Sequence, residues 1–325
     1  MTAAEQNEVC AAFNLGKTLG CGSLGGTRNQ NFHLTTSSGS FVVRDRYVGY
    51  RDPDRIAFDH GALAYLAERD VPVVPPLKAS NGETFWSHEQ RLWEVFAFVS
   101  GHPLRDGDAE DVAATAQALA AFHVAGREYS AAPPEAKLGL RGETDPKELL
   151  ALIAKLAPDA GDAVNRYRAW TIDAANALTD EHFASLPRTL IHGDIQPANI
   201  IIHGGKVATL IDLDWCARRP RIYDFAFAVL LCCTTHELPI DGGDIWSLTQ
   251  APMIDRELTR LFFKSYSESG WPLSSGEVRA LRPQVVLSWC HCRLAGAMKV
   301  EPSRRREFLA RPPNNVAALF PDGIT

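Results

Sequence analysis

Hydrophobic and polar positions follow one pattern before about residue 100 and another after it. The first part has short apolar runs and alternating positions, as at Phe32 and Leu34 and in residues 41–43. These patterns predict antiparallel strands around a Ser-Ser-Gly turn, with one helix around residues 54–69. In the second part, apolar residues recur at helical spacing, most clearly in residues 108–125. Further helices are predicted at residues 146–156, 160–180, 253–268 and 276–297.

One hairpin is predicted within the helical part. Two apolar runs, residues 200–202 and 207–211, flank a turn centred on Gly204-Gly205. A Gly-Gly centre favours a tight turn between two short buried strands. If the chain reverses at the two glycines, Asn199 pairs with Leu210.

Polar residues cluster at the open end of this hairpin. Paired residues share a face of the sheet, and so do alternate residues along a strand. The pattern therefore predicts Asn199, Asp212 and Asp214 on one side, with Asp194 in the loop just before them. Mg²⁺ bound to a nucleotide takes one or two protein carboxylates, and phosphate and water complete its shell. Asn199 and Asp212 suit that role, and Asp194 could then take a proton from a hydroxyl acceptor. Each residue taken alone could equally be a turn former.

Composition narrows the class of protein. The chain has 325 residues, 46% of them hydrophobic, which suffices for two domains or lobes around a cleft. A formal charge of −6 argues against a nucleic-acid partner. The seven cysteines are scattered and read as reduced thiols, and Cys290-His291-Cys292 reads as helix packing. We expect a cytoplasmic protein with no membrane segment and no obligate protein partner.

The hairpin segment resembles the aminoglycoside phosphotransferase and choline kinase-like family. The matching pieces are His192-Gly193-Asp194, then Asn199, then residues 211–214. The resemblance implies an α+β, two-lobed protein-kinase-like fold. Its small antiparallel-sheet N-lobe would comprise residues 1–100 and bind nucleotide. Its helical C-lobe would comprise residues 101–325 and hold the catalytic loop and acceptor pocket.

Roles for individual residues follow from the same resemblance. It implies that Asp194 is the catalytic base and that Asn199 and Asp212 are Mg²⁺ ligands. His192 would support the catalytic loop, and Asp224 would anchor that loop from below. For Asp224, a charge at a helix N-terminus is an equal alternative on the sequence alone.

The N-terminal part contains a matching glycine-rich segment. Residues 25–32 are similar to the family's GG-x-x-N nucleotide loop, with Gly25, Gly26 and Asn29 at its fixed positions. Glycine lets a backbone approach phosphates closely. Ordinary turn formation also explains such a segment.

The strand that should carry a phosphate-binding lysine ends in Arg44 instead. A guanidinium can bind phosphate oxygens in its place, and Asp59 on the following helix is its expected acidic partner. The segment Glu94–Gly101 looks like the hinge that holds the nucleotide base, with Phe98 as an apolar contact. The replacement of lysine by Arg44 leaves both ATP and GTP possible as phosphate donors.

These features favour phosphate transfer to a hydroxyl of a small molecule. Gln196 stands where protein kinases usually carry lysine, and residues 212–224 are too few for an activation segment. An antibiotic or related sugar-containing compound is the leading acceptor, and homoserine- or choline-type amino alcohols are the alternatives. The alternative from another class is a nucleotide-binding pseudokinase that acts through protein interaction.

The acceptor is expected beside Asp194. Asp214 and Trp215 would bound its pocket, and acidic residues further along would pair with an amine. Those acidic candidates, each of which could instead be a solvated loop charge, are Glu237, Asp241, Asp244 and Asp255.

Overall fold

The computed structural model describes residues 1–26, 28–131, 140–241 and 243–313. Its N-terminal part is built on one antiparallel sheet. Within the described residues this sheet has five strands in the order β1-β2-β3-β5-β4. The strands are β1 (Thr18–Gly25), β2 (Gln30–Thr36), β3 (Gly39–Asp45), β4 (Trp86–His88) and β5 (Arg91–Ala97). Helix α1 (Ala3–Ala12) precedes the sheet, and helix α2 (Pro53–Ala67) lies between β3 and β4.

The rest of the described chain is mainly helical. Its helices are α3 (Ala109–Gly126), α4 (Pro146–Ala160), α5 (Asn165–Ala177), α6 (Asp180–Ser185), α7 (Ile222–Leu231), α8 (Ile245–Leu248), α9 (Arg256–Glu268), α10 (Ser275–Ala297) and α11 (Arg305–Ala310). Short strands sit among them: β6 (His102–Pro103), β7 (Arg188–Ile191), β8 (Ile200–His203), β9 (Lys206–Leu210), β10 (Ala217–Pro220), β11 (Thr234–Thr235) and β12 (Met253–Ile254). The predicted α+β class is confirmed.

Local chemistry fixes where the long helices begin. Asp52 accepts a hydrogen bond from the Arg55 amide and is followed by proline, which suits the first turn of α2. Ser274 and Glu277 form a reciprocal capping box at the start of α10. Each cap contributes about 1 kcal/mol by satisfying amides that have no partner within the helix.

Two large hydrophobic cores lie in the described residues, beside a small cluster of Ile191, Tyr223 and Phe227. The smaller core lies at the sheet and contains Leu34, Val43 and Trp93, all nearly inaccessible. The larger core fills the helical part, and the apolar residues of α2 belong to it. Fully burying each large side chain stabilises the fold by about 1.5–3 kcal/mol. Helix α2 also contacts the sheet, because His60 Nε2 lies 2.7 Å from Glu94 Oε1 on β5. A division of the chain at residue 100 therefore remains a proposal.

Several predicted elements differ from those observed. Helix α1 was not predicted, because its hydrophobic pattern is weak. The helix predicted at 160–180 is two elements, since α4 runs on to Ala160 and α5 begins at Asn165. Helix α9 begins at Arg256, and residues 253–254 form strand β12 instead. None of the described helices combines the length and the apolar character needed to span a membrane.

Candidate active site

The loop between β7 and β8 is held by buried hydrogen bonds to its backbone. Asp224, in the first turn of α7, is inaccessible, and its two oxygens accept the amides of His192 (2.7 Å) and Gly193 (2.9 Å). Gly193 has φ +85°, and a Cβ there would lie 2.3 Å from the Trp215 carbonyl oxygen. Only glycine therefore allows this close approach. Asp224 thus lies in the first turn of a helix and also contacts the loop.

His192 connects this loop to the strand that follows it. Its Nε2 donates to the Ile211 carbonyl at 3.0 Å, and its Nδ1 accepts the Asp194 amide at 3.3 Å. A carbonyl can only accept, so the ring carries its proton on Nε2. Burial lowers the pKa of His192, which keeps the ring neutral.

Asp194 is half-buried at the centre of the loop. Its Oδ2 accepts Gln196 Nε2 at 2.8 Å and Asn199 Nδ2 at 2.9 Å. Oδ1 has no hydrogen-bond partner among the described residues. Burial raises the pKa of Asp194, although the hydrogen bonds from Gln196 and Asn199 oppose that rise. A raised pKa makes a carboxylate a better proton acceptor.

The predicted register of the hairpin was wrong by one residue. Ile200, not Asn199, pairs with Leu210, because a bulge places Ala208 as an extra residue in β9. Asn199 instead accepts the Ile211 amide through its backbone carbonyl, at 3.0 Å. The next residue, Asp212, has φ +64°, a left-handed conformation that ends the extended chain. Strain of this kind concentrates at functional sites.

Asp212 and Asp214 both lie within reach of Arg44. Arg44 Nη1 is 3.6 Å from Asp212 Oδ1 and 3.1 Å from Asp214 Oδ1. The Asp212 side chain keeps 43% of its surface exposed. The surrounding cleft nevertheless removes much of its hydration, and Asp214 and Asp194 add negative charge, so its pKa rises to about 7.

Asp214 does not bound an open acceptor pocket as predicted. It is buried, its Oδ2 accepts Asn29 Nδ2 at 2.6 Å, and its Oδ1 faces Arg44. Asn29 in turn accepts the Tyr47 amide at 2.9 Å. Arg55 on α2 donates to the Asp214 carbonyl at 2.6 Å. Asp214 and Asn29 therefore join the N-terminal sheet to the chain segment that follows β9.

The predicted pairing of Arg44 with Asp59 was also wrong. Arg44 Nε donates to Glu94 on the neighbouring strand β5, at 2.6 Å. Asp59 pairs instead with Arg46, two residues further along the chain, and with Arg55 at 2.8 Å. Arg46 also reaches Glu94, at 2.9 Å. The reason is geometric, since Arg44 and Glu94 stand directly opposite each other in the sheet.

Other predicted nucleotide contacts lie at the edge of the sheet. Gly25 ends β1 with φ +80°, and a Cβ on Gly26 would lie 2.0 Å from the Asn29 carbonyl oxygen. Thr27 of the same loop lies outside the described residues. The predicted hinge is shorter than expected, because Glu94 lies within buried β5. Phe98, beyond the strand, stacks on His33 with ring centroids 4.1 Å apart.

The candidate acceptor residues are dispersed. Trp215 meets Tyr50 edge-on with centroids 5.8 Å apart. Glu237 is exposed in the chain after β11. Asp244 and Asp255 cap helices α8 and α9, and Asp241 accepts the Gly243 amide. The last three therefore have local structural roles.

The residues expected to hold Mg²⁺ fit a nucleotide-bound ion. Among the described residues, no three His, Cys, Asp or Glu side chains form a closed metal site. An ion carried by a nucleotide needs only one or two protein oxygens. The amide nitrogen of Asn199 donates to Asp194, and the Oδ1 of Asn199 remains available as a ligand. Burial is the main cause of the raised pKa of Asp212, and Asp214 and Asp194 add negative charge that a divalent cation would neutralise.

Sequence reasoning missed three residues of this site. Glu94 and Arg46 share the buried charge network with Arg44, and Gln196 binds Asp194. A charged residue inside the apolar strand of residues 92–99 is a signal that could have identified Glu94, because buried charges are normally paired.

The family follows from comparison with known proteins. The model of the phosphotransferase enzyme family matches residues 23–253, which is more than half of the chain. The chain therefore belongs to the phosphotransferase enzyme family, and the predicted resemblance is confirmed. By family it is a small-molecule kinase.

Curated relatives and solved structures agree with this class. The homoserine kinase of Mesorhizobium japonicum (strain LMG 29417 / CECT 9101 / MAFF 303099) is 30% identical over 209 residues, which cover 64% of this chain and 62% of that enzyme. Seven further homoserine kinases align at 24–27% identity.

The fold is shared with solved small-molecule kinases. An amicoumacin kinase in complex with AMP-PNP, Ca²⁺ and Ami matches with a TM-score of 0.67 at 14% identity, over 94% of this chain and 92% of that one. A spectinomycin phosphotransferase in complex with ADP and spectinomycin matches with a TM-score of 0.64 at 12% identity, over 98% and 97%. At these identities the similarity shows the fold alone, which is the predicted protein-kinase-like fold.

Proposed function

We propose that this protein transfers the terminal phosphate of a nucleoside triphosphate to the hydroxyl of a small amino alcohol. The observation that carries the proposal is the convergence of Asp194, Asn199, Asp212 and Arg44 at one cleft. Among the described residues, Asp194 Oδ1 has no hydrogen-bond partner, and Arg44 lies 3.6 Å from Asp212, a carboxylate that suits a metal-bound phosphate chain. Phosphoryl transfer needs chiefly positioning and charge neutralisation, which these groups supply.

Each side chain has a defined task in this reaction. Asp194 Oδ1 accepts the proton of the acceptor hydroxyl, while Gln196 and Asn199 hold Oδ2 in place. Arg44 orients the phosphates, and Glu94 holds its guanidinium. General-base assistance of this kind contributes about 10²–10⁴-fold in rate. Amides near Gly25 and Gly26 would approach the phosphates.

Asn199 and Asp212 would hold Mg²⁺ carried by the nucleotide. When bound, such an ion neutralises charge on the terminal phosphates. The nearby charges of Asp214 and Asp194, which add to the rise that burial causes in the pKa of Asp212, support this assignment, because a bound cation would relieve the repulsion among the carboxylates. The roles of Phe98 in contacting the base and of His192 and Asp224 in supporting the loop belong to the same proposal.

The acceptor class rests on the relatives. The homoserine kinases, at 24–30% identity, favour an amino alcohol of the homoserine type. An antibiotic is the second candidate, because the amicoumacin kinase and the spectinomycin phosphotransferase share this fold. ATP and GTP are both retained as donors. The presence of Asp194, Asn199 and Asp212 argues against a pseudokinase.

The test is a screen for phosphorylated product by mass spectrometry. The purified 325-residue chain is incubated with Mg²⁺ and ATP or GTP, together with homoserine, choline, amino sugars and antibiotics. A phosphate adduct on homoserine or another small amino alcohol is the expected result, and it should be absent with the Asp194→Ala variant. An adduct confined to an antibiotic would select the second candidate. No adduct on any compound, with no nucleotide binding, would contradict the proposed activity.

A further inference from the structure

Three aromatic rings, one of them Trp215 in the chain after β9, surround one exposed guanidinium. The Arg28 guanidinium lies 5.8 Å from the ring centroid of Tyr47, 5.5 Å from that of Tyr50 and 6.0 Å from that of Trp215. Tyr50 meets Tyr47 and Trp215 edge-on at 5.4 and 5.8 Å. The three rings, here called the aromatic box, form a site that attracts a cation through ring faces.

Two buried polar atoms in the same region lack partners. Tyr50 Oη is buried and makes no hydrogen bond among the described residues, and neither does Glu143 Oε1. The other carboxylate oxygen of Glu143 accepts the Tyr223 hydroxyl at 3.3 Å and lies 3.9 Å from Arg219 Nη1. A buried polar group without a partner destabilises the fold. Two such groups therefore suggest an absent ligand.

Negative charge lies beside the aromatic box. Asp214, whose Oδ1 lies 3.1 Å from Arg44 Nη1, directly precedes Trp215 of the box. Burial raises the pKa of the Tyr50 hydroxyl, and the charge of Arg28 opposes that rise. The carboxylates of Asp214, Asp212 and Glu143 add to the rise. Arg28, although exposed, supplies the cation that lies against the three rings in the structure.

We propose that the aromatic box and Glu143 bind the ammonium group of the acceptor, in the place that Arg28 occupies without it. This inference rests on the proposed function and names the feature by which the acceptor is recognised. A primary ammonium supplies a charge for the rings and N–H donors for Tyr50 Oη and Glu143 Oε1. A trimethylammonium supplies the charge without the donors. The site therefore selects primary over quaternary amines, and homoserine-type over choline-type acceptors.

Competition with Arg28 makes the proposal specific to this chain. An acceptor must displace a guanidinium that already gains favourable contacts with the rings. Removing that guanidinium should therefore improve acceptor binding. A purely structural role for Arg28 would predict the opposite result.

The experiment compares three probes that differ only at nitrogen. L-Homoserine, its N,N,N-trimethyl derivative and N-acetyl-L-homoserine are titrated by ligand-observed NMR into the full chain without nucleotide. Homoserine should bind at least about tenfold more tightly than the other two, because both lose contacts with buried acceptors. Equal binding of the three probes, or binding of none, would overturn the proposal.

Variants separate the contributing groups. Arg28→Gln should tighten homoserine binding about two- to fivefold, and Glu143→Gln should weaken it about tenfold. Tyr50→Phe keeps the ring, removes the hydroxyl and should also weaken binding, which covers the case in which Glu143→Gln does not fold. Arg127→Gln is the control, since Arg127 is an exposed arginine stacked 4.7 Å from the Trp271 centroid, and it should change nothing.

Phosphate transfer is measured separately with the same probes. Selective homoserine binding without transfer to any acceptor would leave the ammonium site standing and refute the proposed kinase function. Equal transfer to homoserine and its N-acetyl derivative would support the kinase function and refute the site. Weaker homoserine binding by Arg28→Gln would also refute the site.

Discussion

Glu94 links the fold of the N-terminal sheet to the proposed nucleotide binding by Arg44. Removal of its charge therefore tests both the stability of the sheet and the binding of nucleotide. The side chain is inaccessible to solvent. Its Oε2 accepts Arg44 at 2.6 Å, and its Oε1 faces Arg46 at 2.9 Å and His60 at 2.7 Å. Burial acts to raise the pKa of Glu94, but Arg44, the His60 hydrogen bond and Arg46 hold it well below its usual range. The carboxylate is therefore ionised in the folded protein.

Glu94→Gln keeps the shape of this side chain and removes its charge. Breaking a buried ion pair by removing one partner costs about 3–5 kcal/mol. We expect a value near 3 kcal/mol, because Arg44 retains Asp214 and Arg46 retains Asp59. Domains are typically stable by about 5–15 kcal/mol, so the variant should still fold. With Arg44 less firmly held, the nucleotide KM should rise about tenfold, equivalent to about 1.4 kcal/mol.

Urea unfolding and nucleotide kinetics measure the two effects separately. Glu277→Gln is the matched control, because Glu277 is equally buried and binds Arg221 at 2.7 Å on α10. It should lose comparable stability and keep the wild-type nucleotide KM. Wild-type stability and KM in Glu94→Gln, or an equal rise in KM in both variants, would refute the reasoning.

Three further predictions concern the catalytic loop, the metal and pH. Gly193→Ala should fold but lose about 10²-fold in turnover, because its Cβ would meet the Trp215 carbonyl and displace the loop; unchanged turnover would contradict that contact. Asp212→Asn should abolish the Mg²⁺ dependence of nucleotide-induced thermal stabilisation; a retained dependence would move the metal elsewhere. Burial lowers the pKa of His123, His192 and His291 below their unfolded value of about 6.5. The unfolded chain then binds more protons as pH falls below about 6.5, so stability should decrease there by up to about 1.4 kcal/mol per pH unit for each histidine. Urea unfolding between about pH 7.5 and 5.5 tests the sign, and His291→Gln should show a shallower loss.

Local patterns in the sequence predicted the parts of the fold whose causes are local. Helices α2, α3 and α10 follow from apolar spacing and capping residues close in sequence. The hairpin of β8 and β9 follows from its Gly-Gly turn, but its register did not. A bulge at Ala208 depends on how the strand packs, and the hairpin sequence contains no residue that predicts it.

The charge partners could not be predicted, because they depend on three-dimensional neighbours. Arg44 and Arg46 have the same side chain and lie two residues apart. Only the register of β3 with β5 decides that Glu94 faces Arg44 and leaves Asp59 to Arg46. The expectation that Asp214 lies beside the acceptor rested on local pattern alone. Local pattern cannot predict the hydrogen bond of Asp214 with Asn29, which lies 185 positions away in the chain.

The central claim is that Asp194 accepts a proton during phosphate transfer at this cleft. The direct measurement is a single-turnover assay of phosphate transfer from Mg²⁺-bound nucleotide to the acceptor found in the screen, with wild type and Asp194→Ala in parallel. The account predicts unchanged nucleotide affinity in the variant and transfer slower by about 10²–10⁴-fold. Transfer at the wild-type rate by Asp194→Ala would contradict the account.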